Sequence, residues 1–310
     1  MAHPTSGLAP RVRAAFAAPR AANAALIPYL TGGHPDLETS HRLIQTLIGS
    51  GADIVELGVP FSDPIADGPV VQRSAQDALR TGITPEHVFA LAAAHSAAAP
   101  FMLLTYLNTV LAYGPERFFD RAAGAGVEAV VIPDLPLDEA APMVAAARAC
   151  GVAIVPMATP TSTSRRLDLV AQAADSLVYC VAVTGVTGAR RRTGAELPGL
   201  IARLRDRTDA PLAVGFGIST PAQAASVARL ADGVIVGSAL IDRVARSAGA
   251  AAASRAAAEL VAAMSAAIRG AGSVRRRPSG TPLEATSEPP VTGPQGSILP
   301  PSSSEAGGLR

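Results

Sequence analysis

Apolar positions along the chain fall into eight short runs separated by longer amphipathic stretches: ALIPYLT (25–31), DIVELG (53–58), FMLLTY (101–106), VEAVVIPD (127–134), VAIVPMA (152–158), SLVYCVA (176–182), PLAVGFG (211–217) and DGVIVGS (232–238). Several are apolar at almost every position, as strands of a parallel sheet buried on both faces must be. The segments between them carry helix signals: Asp36 ahead of Leu37 to Ile48, the stretch from Asp138 to Ala149, and Ser219 followed by Pro221. Eight β-α units predict an α/β fold closed into a (β/α)8 TIM barrel, a single unit of ~250 residues. An open doubly wound sheet shares the strand count, so the pattern alone leaves closure undecided.

From about Ala271 the pattern stops, and the remaining residues include seven prolines and few apolar positions. Such a segment cannot bury enough surface to offset its ordering entropy, so a disordered Pro/Ser/Gly-rich tail is expected over 271–310. Residues 1–23 read as an N-terminal helical segment and 24–270 as the barrel. The Arg275 to Arg277 triplet reads as a solvated charge run.

Composition removes several function classes. A formal net charge of +1 with interspersed acids and bases offers no basic surface for nucleic acid or anionic lipid. No apolar run approaches the ~20 residues of a membrane span, and the first twenty residues lack a secretory h-region. Cys150 and Cys180 both lie in apolar contexts, which predicts small core residues rather than a disulfide, and a reducing cytoplasm. All 26 basic residues are arginine. A chain without lysine forms no Schiff base and holds no internally bound pyridoxal phosphate. The five histidines, His3, His34, His41, His87 and His95, are scattered, and only His34 follows a strand, so neither a metal site nor any cofactor is expected. No P-loop or dinucleotide fingerprint occurs.

Parallel barrels carry their chemistry at the C-terminal ends of the strands. In VELGVPFSDPIADGP (55–69), alternation turns Ile54 and Glu56 into the barrel and Val55 and Leu57 toward the helices. A barrel-facing carboxylate is expensive unless used, although a solvated Glu at a strand mouth is the ordinary alternative. The loop after it carries Asp63 and Asp67 along a path fixed by Pro and Gly. Asp67, eleven residues after Glu56, could face it across a substrate as the second member of an acid–base pair, or could cap a helix. The sixth, seventh and eighth runs end in GVTG (185–188), GFGI (215–218) and Gly237-Ser238, where backbone N–H groups could approach an anion. A tight turn explains any one of them; three on adjacent strands point to a phosphorylated substrate. Tyr29, Tyr106, Tyr179 and Leu104 could line an apolar half of the pocket or simply pack, and Asn108 could be a turn residue.

Taken in order, LIPYLTGGHPD, VELGVPFSDPIADGP, VTGVTGAR, VGFGI and VIVGSALI resemble the signature segments of tryptophan synthase α chains from about Leu26 to Ile268. The resemblance implies that Glu56 and Asp67 are the catalytic pair, that Tyr179 is the pocket tyrosine, and that Gly188, Gly217, Gly237 and Ser238 contact phosphate. It also implies that Thr187 pairs with the catalytic aspartate on closure. One departure stands out: the family commonly has a polar or basic stretch before GVTG, where this chain reads CVAVTGVTG with Val183 and continues into Arg190 to Arg192.

The implied activity is that of a lyase splitting indole-3-glycerol phosphate into indole and glyceraldehyde 3-phosphate. Indole would pass to a pyridoxal-phosphate-bearing β chain in an α2β2 heterotetramer. The indole ring itself can be the electron sink if C3 is protonated, with Glu56 as donor and Asp67 accepting a hydrogen bond from the ring N–H. A sugar-phosphate isomerase on the same fold, a stand-alone lyase and a non-catalytic allosteric subunit remain alternatives at this stage.

Overall fold

All eight apolar runs form strands; the first is strand throughout, and the others are shortened where the chain turns into a loop. In the computed structural model, which describes residues 7–17, 24–181 and 196–272, they are β1 (Ala25–Thr31), β2 (Val55–Gly58), β3 (Phe101–Leu104), β4 (Val127–Val131), β5 (Ala153–Val155), β6 (Met157–Ala158), β7 (Val178–Val181), β8 (Leu212–Gly215) and β9 (Gly233–Val236). The helices are α1 (Pro10–Ala17), α2 (Leu37–Gly49), α3 (Pro69–Arg80), α4 (Pro85–His95), α5 (Leu107–Tyr113), α6 (Pro115–Gly124), α7 (Ala141–Ala149), α8 (Ser164–Ala173), α9 (Leu197–Arg205), α10 (Pro221–Ala228), α11 (Ser238–Ala245) and α12 (Ala250–Arg269).

Every strand pairing is parallel, in the order β5-β4-β3-β2-β1-β9-β8-β7-β6. The two terminal strands of that order are halves of one sequence run. Pro156 divides it: Ala153–Val155 pair with β4, and Met157–Ala158 pair with β7. Eight runs therefore close into a TIM barrel, and the open doubly wound alternative, which requires a reversal of strand order, is excluded.

Helix starts follow capping chemistry more closely than the sequence pattern. Asp36 caps α2 as expected, accepting from the Thr39 N–H at 2.8 Å. The Asp138 start is incorrect: Leu137–Glu139 form a 3-10 turn, and α7 begins at Ala141 with Pro142 in its first turn. The cap of α10 is Thr220 rather than Ser219. Its hydroxyl accepts from the Gln223 N–H at 3.3 Å while the Gln223 side chain reaches back to the Thr220 N–H at 3.1 Å, a reciprocal capping box.

Against the N-terminal ends of β4 and β9 lies α1, whose Val12 and Phe16 are buried in the main core. Glu128 of β4 accepts from the backbone N–H groups of Arg11 (2.8 Å) and Val12 (3.0 Å), satisfying two donors that a helix start leaves unpaired. By length and composition α12 is apolar enough to cross a bilayer, contrary to the expectation that no segment would be. It packs as a core helix instead, burying Ala253, Ala257, Leu260, Val261, Met264 and Ile268 and contacting α2, α10 and α11. Cys180 is buried in β7; Cys150, which follows α7, is only half-buried, because the helix ends there and exposes its last turn.

Candidate functional site

Glu56 stands on β2 in register with Tyr29 on β1 and Met102 on β3, two residues before the C-terminal end of its strand. Alternation does turn it inward. It is fully buried, and neither carboxylate oxygen has a hydrogen-bond partner among the described residues. Burial pushes its pKa up to about 8, and the nearby Asp67 charge adds to the rise. The group therefore holds its proton at neutral pH.

Asp67 is brought back to the mouth by the loop between β2 and α3. Tyr106, just beyond β3, fixes that loop with one hydroxyl: it accepts from the Ala66 N–H at 3.2 Å and donates to Asp67 Oδ2 at 3.0 Å. Phe61 stacks on the Tyr106 ring with centroids 5.1 Å apart. Asp67 is buried, and burial lifts its pKa to about 6 while the Tyr106 hydrogen bond opposes the rise. It does not cap α3, whose start at Gly68 has no side-chain cap. Asp63 projects from the same loop into solvent, paired with Ser62, and does not reach the mouth.

Tyr29 and Tyr179 complete the wall. Both are buried, and that burial, with the Glu56 and Asp67 charges adding to it, raises their pKa values well above the ordinary phenol range. Tyr179 reaches this common point from β7, on the far side of the barrel from β2. Space for the hydroxyls comes from Gly58, which the sequence pattern did not mark, and from Gly215, which it marked only as part of an anion-binding turn. A Cβ on Gly58 would sit 2.0 Å from the Tyr29 hydroxyl, and one on Gly215 would sit 2.4 Å from that of Tyr179. The sequence signal was the glycine closing each strand, in VELG and LAVG. Gly58→Ala is accordingly expected to destabilise the fold by about 1–3 kcal/mol through overpacking. Thermal melting of the purified variant tests this, and an unchanged midpoint would mean that Tyr29 has another place to go.

At the end of β8 two successive residues are left-handed, Phe216 at φ 71° and Gly217 at φ 81°. Such a conformation is uncommon for phenylalanine and turns its ring edge-on to Tyr179, with centroids 5.9 Å apart. Beside it α11 begins at Ser238 immediately after Gly237, whose position lies close against the Tyr29 ring. Helix starts favour anions because their first N–H groups lack intrahelical partners. Leu104 is buried at the end of β3, and Asn108 lies in the first turn of α5, where Asp134 caps the Leu107 N–H at 2.8 Å. Thr187, Gly188, Val183 and Arg190 to Arg192 lie outside the described residues. Among the described residues no group of three or more His, Cys, Asp or Glu could hold a metal ion.

The arrangement can hold a proton donor and a carboxylate on one compact, largely apolar ligand with an anionic end near Gly217 and α11. The family profile described as tryptophan synthase alpha chain matches residues 16–269. The tryptophan synthase alpha chain of Carboxydothermus hydrogenoformans is 45% identical over 220 residues, 70% of this chain and 82% of the relative. That of Pelobacter propionicus is 47% identical over 219 residues, with the same two coverages of 70% and 82%. A structure of Mycobacterium tuberculosis tryptophan synthase is similar with a TM-score of 0.77 at 37% identity, covering 84% of this chain and 98% of that one. The alpha chain from Legionella pneumophila superposes with a TM-score of 0.74 at 33% identity, covering 83% and 97%.

Proposed function

Because this chain belongs to the tryptophan synthase alpha chain family, a lyase of tryptophan biosynthesis that works with a β chain, we propose that it splits indole-3-glycerol phosphate into indole and glyceraldehyde 3-phosphate using Glu56 and Asp67. One observation carries the reading. Two buried carboxylates share the barrel mouth with their pKa values pushed apart, to about 8 and about 6. Between those limits Glu56 is protonated and Asp67 ionised, which is the division of labour the reaction needs.

Glu56 gives its proton to C3 of the indole ring, and the resulting cation is stabilised by Asp67, which accepts a hydrogen bond from the ring N–H. The Glu56 carboxylate then takes the proton of the glycerol hydroxyl next to the scissile bond. As that oxygen becomes a carbonyl, the C–C electrons return to the ring, releasing indole and the aldehyde, and Glu56 ends protonated as it began. Tyr29, Leu104, Tyr106 and Tyr179 enclose the ring in this reading. Gly217, Gly237 and Ser238 take the phosphate. The catalytic unit is 24–270, acting in the cytoplasm without a cofactor.

The β chain would dock on the loop from Val59 to Pro64, in an α2β2 assembly. Two features support this placement: Ile65 beside it is 76% exposed, and Phe61 in the loop stacks on the tyrosine that holds Asp67. A load on the loop thus has a direct route to the carboxylate. Adding β chain is expected to raise the lyase rate, and Phe61→Ala to weaken that activation more than basal turnover. The deciding assay measures indole-3-glycerol phosphate cleavage with and without saturating β chain. No cleavage under either condition would refute the reaction; equal cleavage in both would refute the coupling.

A further inference from the structure

Beside Tyr29 lies a row of buried hydroxyls that the reaction above does not use. Thr31 follows two residues later on the same face of β1. Its Oγ1 is 3.4 Å from the Tyr29 hydroxyl and 2.6 Å from Ser74 Oγ on α3. Ser74 Oγ is in turn 2.7 Å from the Val71 carbonyl oxygen. Thr31 and Ser74 are each 1% exposed, so neither hydroxyl has water as an alternative partner.

Counting protons orients the row. A carbonyl oxygen only accepts, so the single Ser74 proton is committed to Val71. Ser74 must then accept from Thr31, which commits the single Thr31 proton. Thr31 is left with lone pairs toward Tyr29, and the phenolic proton is committed to Thr31. We propose that Thr31 and Ser74 are positioning residues that keep the Tyr29 O–H turned away from Glu56 and Asp67, so that the phenol oxygen faces the site only as an acceptor.

The consequence is electrostatic. A phenol donating to a carboxylate favours its charged form and lowers its pKa. By withholding that donor, the row helps Glu56 remain an acid. In Ser74→Ala the Thr31 proton loses its acceptor and turns to the Tyr29 oxygen, releasing the phenolic proton toward the carboxylates. In Thr31→Val the phenol loses its acceptor outright. Both variants should move the alkaline limb of the lyase pH profile to lower pH by roughly one unit, the size of a hydrogen bond gained by a charged group. Thr31→Ser keeps a hydroxyl and should keep the limb in place. In a Tyr29→Phe background Ser74→Ala should shift nothing, since no phenolic proton remains to be turned.

The inference rests on the lyase reading, and the test separates the two. Absence of cleavage by the unaltered chain removes that reading; the row can then be tested by following the Glu56 carboxyl carbon by NMR titration, where the same downward shift is expected in both variants. An active unaltered chain whose limb stays put in Ser74→Ala and Thr31→Val overturns the proposal. A Ser74→Ala shift that persists in the Tyr29→Phe background also overturns it, because a packing defect rather than the phenol would be responsible.

Discussion

Glu56→Gln is expected to lower lyase turnover by on the order of a hundredfold or more, the usual worth of a positioned acid or base. The amide keeps the shape of the side chain but can neither protonate C3 nor accept the glycerol proton. Folding should survive, because the wild-type group is itself uncharged at neutral pH. Stability gives an independent check. In the unfolded chain the carboxyl ionises near its ordinary 4.5, whereas in the folded chain it keeps its proton to about 8. The folded state thus binds the extra proton across that window, and this contribution to stability is full below 4.5 and is lost as pH rises through 8. Glutamine has no such dependence, so the variant should gain on wild type in melting temperature as the solution is made alkaline. A folded Gln variant with near-normal turnover would remove Glu56 from the mechanism.

Asp67→Asn should lose activity on a similar scale, on the order of a hundredfold, because an amide cannot offset the positive charge of a protonated ring. It should also alter the pH profile in a way that a merely structural aspartate would not. Wild type is expected to show limbs near 6 and 8, apparent values belonging to the interacting pair. The Asn variant loses the acid limb, since the group that must ionise is gone. Its alkaline limb moves below that of wild type, since the Asp67 charge that helps hold the proton on Glu56 is absent. Residual activity with both limbs unmoved would show that Asp67 neither ionises in the cycle nor acts on Glu56.

Local pattern carried much of this to the sequence reader. The eight runs, the Asp36 cap and the inward face of Glu56 depend on neighbours within a few residues, where strand alternation and capping are strict. What stayed hidden depends on contacts made at a distance. Tyr106 was legible as a wall residue, but its hold on the Asp67 loop spans 39 residues. The pairing of Thr31 with Ser74 spans 43 and has no motif. Gly58 looks like an ordinary strand end, and Gly215 like part of an anion-binding turn, until the tyrosine hydroxyls that need their missing side chains are in place. The misplaced start of α7 has the opposite origin: Asp138 is a good cap by type, but it sits within a 3-10 turn, and Pro142 belongs to the first turn of the helix that follows.

Pro156 gives the barrel a seam. Hydrogen bonding to β4 ends at Val155, and hydrogen bonding to β7 starts with the Pro156 carbonyl, which accepts from the Tyr179 N–H at 2.9 Å. In ladder terms the sheet is a ribbon wound into a cylinder until its two edges meet as two halves of one strand, joined there by covalent chain. A cylinder made this way is closed along one line by covalent chain rather than by an unbroken ladder. Tyr179 hangs directly beside that line, facing Glu56 across the mouth. The pocket tyrosine thus stands on the first strand past the seam, its own N–H held by the proline that divides the run.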